Sequence, residues 1–263
     1  MNKVLQGRTA IVTGGGMGIG QGIARALAGA GADVLIAQRS LDAAEAEAAH
    51  LRQAFGVRAV ARKVDVTVRE EVEAMVAAAV ETLGRLDILV NNAGGSFPKR
   101  LENHTDEDMQ GSFLLNYWSA FWAMRAAFPA MKAQGYGRII NLGSLNGVNA
   151  HMFTVAYNAS KEALRTLTRT AAVEWGEHGI TANVICPSAL SPAAREYFDG
   201  NPEMAQAILG QVPVGRFGEA AADIGPAAVF LASEASSYMT GNTLFIDGGG
   251  HINGVAWRPQ VED

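Results

Sequence analysis

Short runs of Val, Ile, Leu and Ala recur along the chain between longer stretches with helical spacing. Runs at Thr9–Thr13, Asp33–Ala37, Ala59–Val64, Leu86–Val90, Arg138–Leu142, Thr181–Ile185 and Thr243–Ile246 predict seven strands. They lack clean apolar–polar alternation, the mark of parallel strands covered on both faces. Ala-rich segments at Ile19–Ala30, Leu41–Phe55, Glu70–Leu83, Met109–Ala133 and Tyr157–His178 predict the helices between them. Gly56, Gly84, Gly135 and Gly179 follow four of these, where a left-handed cap takes glycine.

This rhythm predicts an α/β fold: a doubly wound seven-stranded parallel sheet with helices on both faces (a Rossmann fold), as a single domain over residues 1–263. Right-handed crossovers make the first half two βαβ units meeting at a switch point, where such sheets bind ligands. Residues 188–218, with Pro192, Pro202 and Pro213, break the rhythm and are expected to form a lid.

Composition narrows the function. A net charge of −5 with no basic block argues against nucleic acid. No apolar stretch approaches the roughly 18 residues of a membrane span, and Met1–Gly7 is too short and polar for a leader. A cytoplasmic protein with no membrane partner is expected. The one cysteine, Cys186, sits in the apolar run Val184–Pro187 and reads as a small buried side chain. The five histidines show no ligand spacing, so no metal is expected.

The turn between the first strand and first helix reads Thr13-Gly14-Gly15-Gly16-Met17-Gly18-Ile19-Gly20. Backbone N–H groups at a helix start are unsatisfied and favour an anion, and glycine lets a pyrophosphate approach closely. At the first strand-to-helix turn of an α/β chain, this pattern points to a dinucleotide. Farther on, Tyr157 and Lys161 stand four residues apart on one helix and so share a face. A carbonyl that accepts hydride at carbon must gain a proton at oxygen. A phenol can supply it if nearby positive charge draws its pKa down from about 10. Ser144, after the fifth strand, is placed to hold and polarise the substrate oxygen.

The glycine spacing, Asp65-Val66, Asn91-Asn92-Ala93-Gly94, Asn116, the Ser144–Tyr157–Lys161 set, Pro187 and Asp247-Gly248-Gly249 occur in one order along the chain. In these motifs the chain resembles the short-chain dehydrogenase/reductase family, in its subgroup of roughly 250-residue subunits, from about Gly7 to Gly249. The resemblance implies an oxidoreductase that moves a hydride between NAD(P)(H) and a ketone, aldehyde or secondary alcohol. Its catalytic residues are Asn116, Ser144, Tyr157 and Lys161, with Asn116 holding a water that links Lys161 to solvent. The cofactor site it implies comprises Gly14, Gly16, Met17, Gly18, Ile19, Gly20, Asp65, Val66, Asn92, Ala93, Gly94, Tyr157, Lys161, Pro187, Ser188 and Leu190. It also implies a homotetramer or homodimer. Alternatives are the same machinery reducing a C=C or C=N bond, or a dinucleotide-sensing protein without turnover. The four-residue gap between Tyr157 and Lys161 differs from the wider gap of enoyl-reducing relatives.

The second strand ends in Gln38-Arg39-Ser40, not in the carboxylate that favours NAD(H). Arg39 offers a charged fork and Ser40 a hydroxyl to a 2′-phosphate, so NADP(H) is expected over NAD(H). Met17 stands where many NADP-using relatives carry a second base. Substrate contacts are expected from Ser96, Ser144, Asn146 and Tyr157, with Phe97, Leu145, Asn149, His151 and Ala189–Tyr197 as further wall candidates. The family's Gly and Thr after Pro187 are here Ser188 and Pro192, with Ser191 a candidate substitute for the Thr. The tail, residues 250–263, extends beyond the family's usual end, and its Trp257 is a candidate to close a pocket or meet another subunit.

Overall fold

A computed structural model describes residues 3–190 and 192–252. Seven strands form one parallel sheet: β1 (Thr9–Thr13), β2 (Asp33–Gln38), β3 (Ala59–Lys63), β4 (Ile88–Asn91), β5 (Gly137–Leu142), β6 (Ile180–Pro187) and β7 (Thr243–Ile246). Their order is β3-β2-β1-β4-β5-β6-β7, as expected for a doubly wound sheet. Every residue of β1, β4 and β5 is buried, which is why these runs carry no alternation.

The helices are α1 (Gly18–Gly29), α2 (Leu41–Phe55), α3 (Arg69–Leu83), α4 (Asp106–Phe113), α5 (Ser119–Gln134), α6 (Leu145–Val148), α7 (Val155–Trp175), α8 (Pro192–Asp199), α9 (Pro202–Leu209) and α10 (Gly225–Ala232). One core joins the sheet to α1, α2 and α10; the other joins it to α3, α5 and α7. Gly56, Gly84, Gly135 and Gly179 all adopt positive φ just past helical segments. The segment expected as one helix over Met109–Ala133 is instead α4, a π-turn over Leu114–Trp118, and α5. A π-turn makes no mark on a hydrophobic pattern, because the strip of buried positions only rotates. The segment expected as a lid contains α8 and α9. Ser191 and Trp257, singled out above, lie outside the described residues.

Two buried polar ties aim the elements at the carboxyl edge of the sheet. Thr13 Oγ1 accepts bonds from the Asn92 and Ala93 amides, both 3.0 Å, and donates to the Val90 carbonyl at 3.3 Å. Asn92 Nδ2 donates back to the Thr13 carbonyl at 2.8 Å. The second tie runs from Asn91 Nδ2 to Asn141 Oδ1 and from Asn141 Nδ2 to Thr168 Oγ1, each 2.8 Å. It fixes α7 against β4 and β5, and so sets where Tyr157 and Lys161 emerge.

Glycine also sets how close α1 lies to its neighbours. A Cβ at Gly22 would sit 2.4 Å from the backbone carbon of Ala220. Gly22→Ala is therefore expected to destabilise the protein by about 2 kcal/mol through overpacking, against about 1 kcal/mol gained in helix propensity. Urea unfolding checks this: a midpoint equal to or above wild type would show that the contact relaxes freely.

Candidate active site

The carboxyl ends of β1 and β4 open a cleft of about 470 Å³. At its floor α1 begins with no side-chain cap on its amides and no acidic residue in its first turn. By contrast Ser40 caps α2 through the Ala43 amide, and Thr105 with Asp108 forms a capping box on α4. The start of α1 thus keeps its donors and its positive potential for an anion. Gly14 has φ +66, and a Cβ there would lie 2.8 Å from Asn92 Nδ2. One on Gly20 would lie 2.3 Å from the Gly14 carbonyl oxygen, so the loop closes only with bare backbone.

Of the expected cofactor residues, Gly14, Met17, Ile19, Arg39, Asp65, Val66, Asn92, Ala93, Gly94, Tyr157, Lys161 and Pro187 line this cleft. Gly16, Gly20, Ser40 and Ser188 do not. Gly16 and Gly20 lie where a Cβ would press on Ala43 and on Gly14, while Ser40 caps α2. Ser188 donates its amide to the Ile246 carbonyl at 2.9 Å. Gly18 and Leu190 border a separate hollow. Sequence reading missed Ala37, Val64, Thr67, Gly95, Leu115, Leu142 and Gly143, while Gln38 and Ala189, read for the cofactor choice and the substrate wall, also line it. Most of those missed adjoin an identified residue, so widening each motif by one position would have found them.

A dinucleotide suits this lining. Gln38 Oε1 is buried without a hydrogen-bond partner, an acceptor left for a ribose hydroxyl. Asp65 Oδ1 is held by the Thr67 hydroxyl at 2.7 Å and the Thr67 amide at 2.9 Å. Those bonds, with a smaller contribution from the Arg39 charge, hold its carboxyl below the usual range. Arg39 itself is exposed at the cleft, and among the described residues no carboxylate stands within ion-pair distance of it.

The inner end of the cleft brings the chemistry together. Tyr157 and Lys161 rise from the first turns of α7, with the Lys161 ammonium 5.6 Å from the centre of the Tyr157 ring. Lys161 Nζ donates to the Leu142 carbonyl at 2.7 Å. Ser144 Oγ accepts from the Asn146 amide at 3.2 Å, and its hydroxyl lies close enough to Tyr157 to act on the phenol's pKa. Asn116, in the middle of the π-turn, accepts from the Gly95 amide and donates to the Gly95 and Ser112 carbonyls, all within 3.1 Å. A cavity of about 10 Å³ is lined by Asn116, Lys161, Asn91 and Thr13 among others. That is about the room one water needs.

The substrate candidates disperse. Ser96 Oγ is buried and unpartnered outside the cleft lining, and Phe97 is exposed beside a hollow of about 320 Å³ that Tyr157 and His104 also border. The Asn146 carbonyl accepts the His151 amide. His151 faces an outer hollow with Lys99 and Glu162. Ala189 reaches the cleft, whereas Tyr197 is turned to Met204 on α9.

Comparison with known proteins agrees with this geometry. A family model described as enoyl-(acyl carrier protein) reductase matches residues 14–251. The 2-dehydro-3-deoxy-D-gluconate 5-dehydrogenase of Bacillus subtilis (strain 168) is 39% identical over 245 residues, 93% of this chain and 95% of its own. A 7α-hydroxysteroid dehydrogenase structure complexed with NADH and 7-oxo glycochenodeoxycholic acid superposes with a TM-score of 0.89. It is 37% identical, over 95% of this chain and 96% of that one. L-sorbose reductase from Gluconobacter frateurii, complexed with NADPH and L-sorbose, gives 0.88 at 32% identity, over 94% and 98% of the two chains. The chain belongs to the short-chain dehydrogenase/reductase family.

As a member of that family it is an oxidoreductase of alcohol and ketone groups that binds a nicotinamide dinucleotide. No helix among the described residues is long and apolar enough to cross a membrane. In this dehydrogenase/reductase the electrostatics of Tyr157 and Lys161 differ from the sequence expectation. Burial pushes the Tyr157 phenol up, partly offset by the Ser144 hydroxyl, and no lowering by Lys161 is seen. Burial instead draws Lys161 down from 10.5 to about 8. Lys161 is nearly inaccessible, at 3% exposure, and its ammonium has a carbonyl as its hydrogen-bond partner.

That difference costs the folded chain about 3 kcal/mol at neutral pH, where the lysine is charged in both states. As pH rises past about 8 the folded lysine loses its proton first; by 10.5 the unfolded one follows and the cost disappears. Lys161→Met is therefore expected to stabilise the cofactor-free protein by about 2 kcal/mol at neutral pH, allowing about 1 kcal/mol for the orphaned Leu142 carbonyl. The gain should shrink between pH 8 and 10.5. Denaturant midpoints measured at both ends of that range decide it, and no gain at neutral pH would refute the buried charge.

Proposed function

We propose that this enzyme interconverts a ketone or aldehyde with its alcohol, with NADP(H) preferred and Tyr157 as the general acid and base. One arrangement carries the reading: Tyr157, Lys161 and the water-sized space beside Asn116 meet at the inner end of the dinucleotide cleft. A bound NADP(H) supplies or takes the hydride. Tyr157 gives its phenolic proton to the substrate oxygen in reduction and takes it back in oxidation. Ser144 donates its one hydroxyl proton to that oxygen and so holds and polarises it. Lys161 stands beside the phenol, 5.6 Å from the ring centre, and a water in the space it shares with Asn116 returns the proton from solvent. The backbone of Gly14 to Gly20 and the start of α1 hold the pyrophosphate, while Asp65 and Val66 frame the adenine.

The preference for the phosphorylated cofactor rests on Arg39, an exposed guanidinium beside the cleft that follows an amide, Gln38, where a carboxylate would favour NAD(H). The Ser40 oxygen accepts the Ala43 amide, and its hydroxyl proton is left for a phosphate. The four-residue Tyr157–Lys161 gap supports carbonyl over C=C chemistry despite the description of the matching family model. The same reading makes the protein a cytoplasmic homotetramer. The half-exposed Trp118 at the π-turn, stacked on Trp122 at 6.3 Å, supports self-association through this face.

Tyr157→Phe is expected to lower kcat about 10³-fold while cofactor affinity stays within about threefold of wild type. Retained turnover would remove the tyrosine from the mechanism. Arg39→Ala is expected to weaken NADPH binding at least tenfold, the scale of one lost charge-assisted bond, and to leave NADH binding unchanged. Parallel titrations with the two nucleotides test this. Equal affinities in the wild type would overturn the cofactor preference.

A further inference from the structure

Beside the dinucleotide cleft lies a second hollow of about 470 Å³, between the start of α1 and the lid. Gly18, Gln21 and Arg25 line one side, and Leu190, Arg195 and Glu219 the other. Hollow and cleft are bordered by alternate residues of the same two segments. Met17 and Ile19 border the cleft, but Gly18 borders the hollow; Ala189 borders the cleft, but Leu190 borders the hollow. At Gly18, with φ +55, a Cβ would meet nothing within 4 Å. The uncapped first turn of α1 is therefore open from the lid side as bare backbone.

The loop from Thr13 to Gly20 contains no basic residue, so the backbone faces a pyrophosphate without a countercharge of its own. Two arginines border the hollow. Arg25 is committed: its Nε and Nη2 each bond Glu47 at 2.8 Å, and the Glu47 side chain is 2% exposed. Arg195 is held differently. It meets Glu219 at 2.6 Å, with the two side chains 49% and 54% exposed. An ion pair so open to water is weak, and its partner can be exchanged. A pyrophosphate offers two negative charges where Glu219 offers one, and it can accept the guanidinium fork. Glu196 and Asp199, on the same helix and bordering the same hollow, would repel that anion if no cation stood between.

We propose that Arg195 exchanges Glu219 for the cofactor pyrophosphate at the start of α1, so that dinucleotide binding draws α8 toward the cleft. The inference rests on the dinucleotide reading but not on the choice of NADP(H), because both nucleotides share the pyrophosphate.

The test is calorimetric titration of NAD⁺ and NADP⁺, separately, into the wild type, Arg195→Ala and Glu219→Gln. Arg195→Ala is expected to weaken both nucleotides about fivefold at low salt, the scale of one solvent-exposed charged hydrogen bond. The difference should fade at about 0.5 M salt, where exposed charges are screened within a few ångströms. Glu219→Gln, which frees the arginine, should bind both nucleotides as tightly as wild type or more tightly. A loss below threefold in Arg195→Ala, a loss confined to one nucleotide, or weakened binding in Glu219→Gln overturns the proposal. If the wild type bound neither nucleotide, the dinucleotide reading itself would fail, and the two failures are thereby distinct.

Discussion

The clasp between Thr13 and Asn92 holds open the point on which the rest of the molecule depends. β1 and β4 are neighbours in the sheet, yet the chain leaves them toward opposite faces, so their carboxyl ends diverge into a crevice. Backbone groups at such an edge lose their ladder partners and need replacements. The Thr13 hydroxyl supplies both an acceptor and a donor, and the Asn92 amide reaches back across the gap. Because the Asn92 amide fills the space behind the glycine loop, Gly14 and Gly20 have no room for a side chain. The same clasp thereby fixes the crevice width and leaves bare backbone facing the ligand.

Around this crevice the protein leaves two electrostatic needs unmet when empty. The start of α1 has no cap and no acidic residue, although other helices of the same chain are capped by Ser40 or Thr105. Lys161 is buried as a charge with a carbonyl for its partner. Each omission reduces the stability of the empty protein, and each is answered by the same anionic, hydroxyl-rich class of ligand. Stability given up in this way is a preformed site rather than a defect. The Asn91–Asn141–Thr168 ladder supplies the rigidity that keeps Lys161 in place despite its cost.

The outer wall of the site is built on different principles. The residues proposed for catalysis stand on α7 and just past β5, and both elements pack into the core. The lid and the Ser144–Tyr157 connection carry exposed ion pairs, exposed apolar side chains and two non-glycine residues at positive φ, Ala150 and Phe153. Loops that hold few buried contacts can differ between relatives without disturbing the sheet. A common core thus serves relatives named for a sugar acid, a sterol and a ketose. Ser188 and Pro192, which replace the family's Gly and Thr, lie in this variable wall.

The sequence by itself determined the sheet, most of its helices and the pairing of Tyr157 with Lys161 on one helix, because each leaves a local mark. Burial on both faces removes alternation from a strand, a helix end in the left-handed region takes glycine, and a Tyr-x-x-x-Lys spacing puts both groups on one helical face. What only the tertiary structure decided was every relation between distant segments. The π-turn that carries Asn116, the ladder from Asn91 to Thr168, and the clasp from Thr13 to Asn92 join residues up to 79 positions apart. No spacing rule relates such residues. Burial likewise set the direction of the Tyr157 and Lys161 shifts, since desolvation depends on what surrounds a group in space and not on its neighbours along the chain. The turn of His151 away from the cleft likewise rests on local hydrogen bonds, of its amide to the Asn146 carbonyl and of its ring to the Met152 carbonyl, which sequence order does not reveal.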